Sequence, residues 1–393
     1  MKKRIGVILL LFLLFTISCF AEEGNSETTY DILDSYADLY GDKIEDGIQR
    51  LGVEDSLDEL IPDFDVKKVL SEVIDGNLAI TPKELIFILL QGILKEIYRC
   101  LKIMAMVLIA STLCSYLTEL SGSFGKSGVV GAAYFTCYII IAAVATTAFY
   151  DAAGCAAQAI ENISLFMEMV VPVVVTTLLA CGAIVSASVF EPVLLGIIEV
   201  AVRIIQDLFI PLVMIATAMS IVNGISDKFK IQKMINFINQ CIKRGLTIML
   251  TIFVSMAGIQ SIASAGADGL TIKLTKFATS NLVPVVGGIL AESVETVMNC
   301  SVLIKNSVGV IGIICLSLIA ITPLLKIGAI LLIFRLTAAI AEPVTEPKII
   351  VCMSELANSI SVLFSMLTAT TVMVILVLTI MINAGNTAVF LGR

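Results

Sequence analysis

Histidine and tryptophan are both missing from these 393 residues. Without histidine there is no ordinary general base near neutral pH and no commonest metal ligand. Neither a Ser-His-Asp nor a Cys-His arrangement can be built. Without tryptophan, any aromatic belt at a bilayer surface has to be made by 8 Tyr and 18 Phe. Charged residues are scarce as well, at 15% of the chain. Ten cysteines are present, but no two stand in a Cys-x-x-Cys pair. That leaves zinc and iron–sulfur sites without support. The cysteines read as small residues of an apolar core. No phosphate-binding glycine loop, no dinucleotide fingerprint and no His-Glu-x-x-His motif is visible. The expectation is a protein that is not an enzyme, with no cofactor, no metal and no catalytic residues.

What fills the chain instead is apolar side chain, at 58% of residues. Stretches of near-bilayer length recur at Ile103–Leu117, Val129–Phe149, Val170–Phe190, Val193–Ile221, Leu246–Ala263, Val308–Ile321, Leu324–Ile340 and Ile360–Ile382. A helix needs about 20 apolar residues to cross a bilayer core. A soluble fold could not hide this many apolar residues from water. The pattern predicts an all-α, polytopic helical membrane protein with about six to eight hydrophobic segments.

Three regions follow from charge. Residues 1–21 have the form of a secretory signal peptide: Lys2-Lys3-Arg4, an apolar Ile5–Ile17, then Cys19-Phe20-Ala21 before two acids. Cleavage after Ala21 is the favoured reading; an uncut anchor or a lipidated Cys19 are the alternatives. Residues 22–84 carry 18 acidic against 5 basic residues, a net of -13. This argues against nucleic-acid binding there. Tyr30, Leu33, Tyr36, Ala37 and Tyr40, and again Val66, Val69, Leu70, Val73 and Ile74, fall at helical spacing. The region reads as a small, acidic, helical extracytoplasmic segment that packs on the membrane domain or on a partner. Residues 85–393 form the multi-span membrane domain.

Charges inside apolar stretches are the candidate functional residues. Glu199, Arg203 and Asp207 are spaced by four, so an α-helix stacks them on one face with the arginine between two acids. Glu292 and Glu295 raise the same question, as do Lys326 and Arg335. Charge in a bilayer is costly, so these faces are expected to look into a bundle, a cavity or an interface. A pore or carrier site is one reading; a structural ion pair, or a helix lying at the interface, is the other. Lys228, Lys230, Lys233, Lys243 and Arg244 cluster between two apolar stretches. With Ile231, Met234, Ile235, Ile238 and Ile242 they describe a basic amphipathic helix on a membrane surface. The positive-inside rule makes it cytoplasmic, either as a docking surface for a partner or as a topology signal.

A duplication is also suggested. Pro172-Val173-Val174 and Pro284-Val285-Val286 are 112 residues apart, and so are Pro211 and Pro323. They define candidate repeats over 168–265 and 280–383. The first linker is basic and the second carries Glu342, Glu346 and Glu355. Opposite linker charges suggest an inverted repeat, and with it a secondary transporter with a polar site near the midplane.

The stretch from Asn281 through Pro284-Val285-Val286-Gly287-Gly288 to Glu292 and Glu295, continuing through Ser301 to Gly309, resembles the stage III sporulation protein AE family of endospore-forming bacteria. So does the order of features: leader, acidic exported segment, apolar domain and the Pro323-Leu324-Leu325-Lys326 element. The resemblance implies a multi-pass protein in the mother-cell-derived membrane around the forespore. It also implies a subunit of a secretion-like channel, or feeding tube, needed for forespore development and late forespore gene expression after engulfment. The implied partners are the other stage III sporulation A-operon proteins, both membrane and ring-forming, with a separate cytoplasmic ATPase, a forespore membrane partner and the lipid bilayer. The resemblance brings no catalytic residues, and it favours the channel subunit over the transporter.

Overall fold

The computed structural model describes residues 44–52, 68, 82–123, 127–225, 231–282 and 287–392. The leader, most of the acidic segment, Lys228, Lys230 and the second Pro-Val-Val element lie outside the described residues. Every element among the described residues is a helix. A short helix α1 (44–51) precedes α2 (Pro82–Ser123), α3 (Ser127–Ala180), α4 (Ile184–Arg203), a π-helical turn (Ile204–Phe209) and α5 (Ile210–Ile225). Then come α6 (Gln232–Leu282), α7 (Gly287–Ala341) and α8 (Pro347–Gly392). The chain is thus an all-α polytopic membrane protein, with five helical stretches long and apolar enough to cross a membrane. They are Leu90–Leu117, Phe135–Ala180, Gln232–Ile259, Ser301–Ala341 and Pro347–Ala384.

The eight apolar stretches fall on fewer, longer helices. Val129–Phe149 and the first part of Val170–Phe190 share α3, and Val308–Ile321 shares α7 with Leu324–Ile340. Pro172 and Pro323 lie inside these helices rather than at their ends. An interior proline removes one ladder bond, a loss that neighbouring helices can make good in a membrane bundle. α3 has 54 residues, so it is about 81 Å long at a rise of 1.5 Å per residue. A bilayer with its headgroups is about 40–45 Å thick. Much of α3, and of the 55-residue α7, therefore stands outside the bilayer.

Pro211 explains the π-turn. It has no N–H to offer the carbonyl of Asp207, and its ring crowds that carbonyl. The ladder widens just before it, with Ile210 N–H donating to the carbonyl of Ile205.

The helices pack in two rows. α2, α3 and the α4–α5 leg form one row; α7, α8 and α6 form the other. α2 packs on α3 and α7, whereas α4 and α5 pack on α3, α6 and α8. α2 with α7, and the α4–α5 leg with α6, are therefore opposite edges of the bundle. α8 is the axis: 78% of its most apolar window is buried, against 22% in both α2 and α6. α2 and α6 instead turn residues such as Ile109, Leu113, Ile252 and Ile259 outward. Of the acidic segment, α1 reaches the core. Ile44 and Ile48 are buried, and Gly47 lies against Met169 of α3. That much agrees with a segment packed on the membrane domain.

α3 ends in a tight reversal. Gly182 takes φ +78°, Gly182 N–H donates to Leu179 at 3.0 Å and Ala183 N–H to Leu178 at 3.1 Å. This pairing of the last carbonyls across a left-handed glycine is a Schellman closure. It sends α4 back along α3. At the other end of the bundle, Gln232 at the start of α6 donates to Glu355 of α8 at 3.0 Å. α6 and α8, counterparts at the 112-residue offset, therefore start at the same end and run the same way. Lys233 and Glu346 share that end. The two candidate halves therefore run parallel rather than inverted. Linker charge misled because the acids of the second linker lie beside the start of α6 rather than across the membrane from it.

Candidate functional site

The predicted polar cluster on the α4–α5 leg lies on the outside of the bundle. Glu199, Arg203 and Asp207 are all exposed. Arg203 Nη2 donates to Glu199 Oε1 at 2.6 Å, with the two side chains 70% and 54% exposed. The pairing runs to Glu199, on the α-helical side. Toward Asp207 the backbone enters the π-turn, where a spacing of four no longer stacks side chains as it does in an α-helix. Gln206 in that turn donates to the carbonyl of Ala157 on α3 at 3.5 Å. Phe209 rests on α6 at Gly245, where a Cβ would lie 2.8 Å from its Cζ. The cluster therefore sits near mid-height of the bundle. α3 adds Asp151, Gln158, Glu161 and Glu168, exposed along one strip.

The opposite edge is basic at the same level. Lys95, Arg99 and Lys102 lie exposed on one face of α2. Arg99 donates to Glu96 at 2.7 Å. Lys326 of α7 is exposed beside them. Lys326 and Glu96 both lie within electrostatic reach of Cys100 on α2 and of Cys155 on α3. Cys155 is two residues from the Ala157 that meets Gln206.

At the end where α6 begins, four helices are tied by polar groups. Tyr138 of α3 donates to the carbonyl of Ile221 on α5 at 2.8 Å. Asn223 donates to Gln232 at 3.1 Å, and Gln232 donates on to Glu355. Asn223 also accepts from Ile231 N–H at 3.3 Å. The basic segment continues from this junction. Lys233, Lys243 and Arg244 are exposed, while Ile235 and Ile242 are buried against the bundle. The apolar face of that amphipathic stretch packs on protein, because the stretch is the first part of the 51-residue α6. Nearby, Arg335, Glu342, Ser354 and Asn358 line an open groove of about 370 Å³ between α7 and α8.

The other end is held by Asp268. Ala183, the N-cap of α4, supplies no side-chain cap. Asp268 of the neighbouring α6 does it: Oδ1 accepts from Val185 N–H at 2.7 Å and Oδ2 from Ser186 N–H at 3.0 Å. The carboxylate is fully buried, and it meets the positive end of the helix dipole. Lys305 of α7, also buried, donates to the carbonyl of Ile382 on α8.

The structure thus brings Glu199 and Arg203 together and leaves them at the surface. Glu292 and Glu295 lie in the first turns of α7, but their side chains lie outside the described residues. Asp268, Lys305 and the Gln232–Glu355 link were not among the predicted site residues. A lone acid in Ala265-Gly266-Ala267-Asp268-Gly269 and a lone lysine in α7 were the available signals. Because the pair is exposed, Arg203→Ala strands no charge in a core. The variant should lose less than about 1 kcal/mol of stability. Thermal unfolding of the purified protein in detergent checks this; a large drop in midpoint would mean the pair is buried in the folded chain.

A family model described as Stage III sporulation protein AE matches residues 64–385. The chain is 30% identical over 320 residues to the Stage III sporulation protein AE of Bacillus subtilis (strain 168), covering 81% of this chain and 80% of that relative. No solved structure matches the chain.

Proposed function

The chain belongs to the stage III sporulation protein AE family, and from that premise we propose that it is a non-enzymatic membrane subunit of a channel complex linking mother cell and forespore. A role in sporulation follows from the family itself. The finer reading places the protein in the mother-cell-derived membrane around the forespore. There it would work with the other stage III sporulation A-operon proteins, including ring-forming subunits and a separate cytoplasmic ATPase.

The observation that carries this reading is the extent of the family match, from the end of the acidic segment through the last helix. The packing agrees with a wall or scaffold role. α8 occupies the axis of the bundle with apolar side chains, so a passage is better placed between chains than through this one.

Deletion of the gene in its host tests the reading, with sporulating cells followed by microscopy and a late forespore reporter. Arrest after engulfment, a shrinking forespore and a silent reporter are expected. Normal spores, or an uptake defect in growing cells, would overturn it.

A further inference from the structure

The two exposed charged patches lie on opposite edges of the bundle, near one height, with opposite dominant sign. On the α2–α7 edge, Lys102 and Lys326 are exposed beside the Arg99–Glu96 ion pair. On the edge formed by the α4–α5 leg, Glu199 and Asp207 outnumber Arg203. The height match rests on α3, through Cys155 on the basic side and Ala157 on the acidic side.

The two edges also share an order along the bundle. α2 and the α4–α5 leg both run antiparallel to α3 and so parallel to each other. On α2 the charges at 95–102 are followed by exposed Met106, Ile109, Leu113 and Tyr116. On the α4–α5 leg the charges at 199–207 are followed by exposed Leu208, Ile215 and Val222. A second copy set beside the first, with its helices parallel, meets charge with opposite charge and apolar surface with apolar surface.

We propose that copies of this chain associate side by side, the α2–α7 edge of one against the α4–α5 edge of the next. Such a contact uses two different surfaces, so it repeats from copy to copy and closes into a ring when the rotation allows. The pairing sets Asp207 and Glu199 of one copy opposite Lys102 and Lys326 of its neighbour. It does not depend on the channel reading. Self-association is measurable whatever a deletion does to spores, and a subunit made of one copy would still fit the channel complex.

The test is photo-crosslinking of the full-length chain in membranes of sporulating host cells, with a benzophenone amino acid at Leu208. The expected product is an adduct of twice the chain's mass, whose cross-linked peptide comes from residues 95–109. Asp207→Lys in the probe-bearing chain should lower that adduct at least tenfold at equal protein level. Lys102→Glu in the same chain should restore it, because every contact then has the reversed pair. If the single variant does not accumulate, the peptide mapped from the parent chain decides alone. An adduct with another protein, a product with lipid only, or a dimer peptide from another region overturns the proposal. So does an adduct indifferent to the charge reversal.

Discussion

Asp268→Ala is expected to lower stability by about 2–4 kcal/mol, among the largest effects of any single side-chain truncation in this chain. The carboxylate is fully buried and accepts two N–H groups of the first turn of α4, those of Val185 and Ser186. Truncation leaves two donors without partners, that of Ser186 fully buried, and a buried unmet donor carries its full desolvation penalty. Ala183 cannot step in, because it has no side-chain acceptor. Asp268→Asn keeps one acceptor oxygen and should cost about half as much. Unfolding of the purified chain in mixed micelles measures all three proteins. If the alanine variant unfolds with the parent, the cap is not a determinant of the fold. Loss of this cap should also free the α3–α4 reversal, so proteolysis near Gly182 should rise in the alanine variant before global unfolding.

Gly309→Ala is the second large effect. A Cβ at this position of α7 would lie 2.3 Å from Cγ1 and 2.5 Å from Cδ1 of Ile382 on α8. Neither distance is tolerable, so Ile382 must rotate or the helices must part. Overpacking of this kind costs about 1–3 kcal/mol. Parting the helices would also disturb the bond from Lys305 to the Ile382 carbonyl, and at Gly312, one turn on, a Cβ would lie 3.2 Å from Val170 Cγ1. A lower steady-state level in cells and a lower unfolding midpoint in detergent are expected. Ile382→Ala in the same chain should recover most of the loss by emptying the space that the new methyl needs. A double variant no better than Gly309→Ala would show that the steric account of this crossing is wrong.

The class of fold was legible because it depends on summed hydrophobicity, which no tertiary detail can reverse. The number of helices was less so. The apolar stretches on either side of Pro323 read as separate segments, yet a packed membrane bundle keeps that proline and Pro172 inside helices. The stacking of Glu199 and Arg203 followed from their spacing, but spacing fixes a shared face and not the direction of that face. Neighbours decide direction, and here α3, α6 and α8 all lie on the other side. Asp268 and Ser186 are 82 residues apart in sequence. A cap supplied from that far has no local signature, and neither does the Gln232–Glu355 link that fixed the direction of the two halves.

The burial of α8 has a consequence for biogenesis. The helix around which the others pack is the last of the described elements to leave the ribosome. Until it inserts, α3, α6 and α7 must wait in or near the bilayer with their inner faces uncovered. Helices of this kind are set in place individually first and associate afterwards. The bundle therefore matures in a late, concerted step, and every truncation that removes α8 leaves a bundle without its centre. A reporter fused before residue 347 would report insertion faithfully while attached to a chain that has not folded.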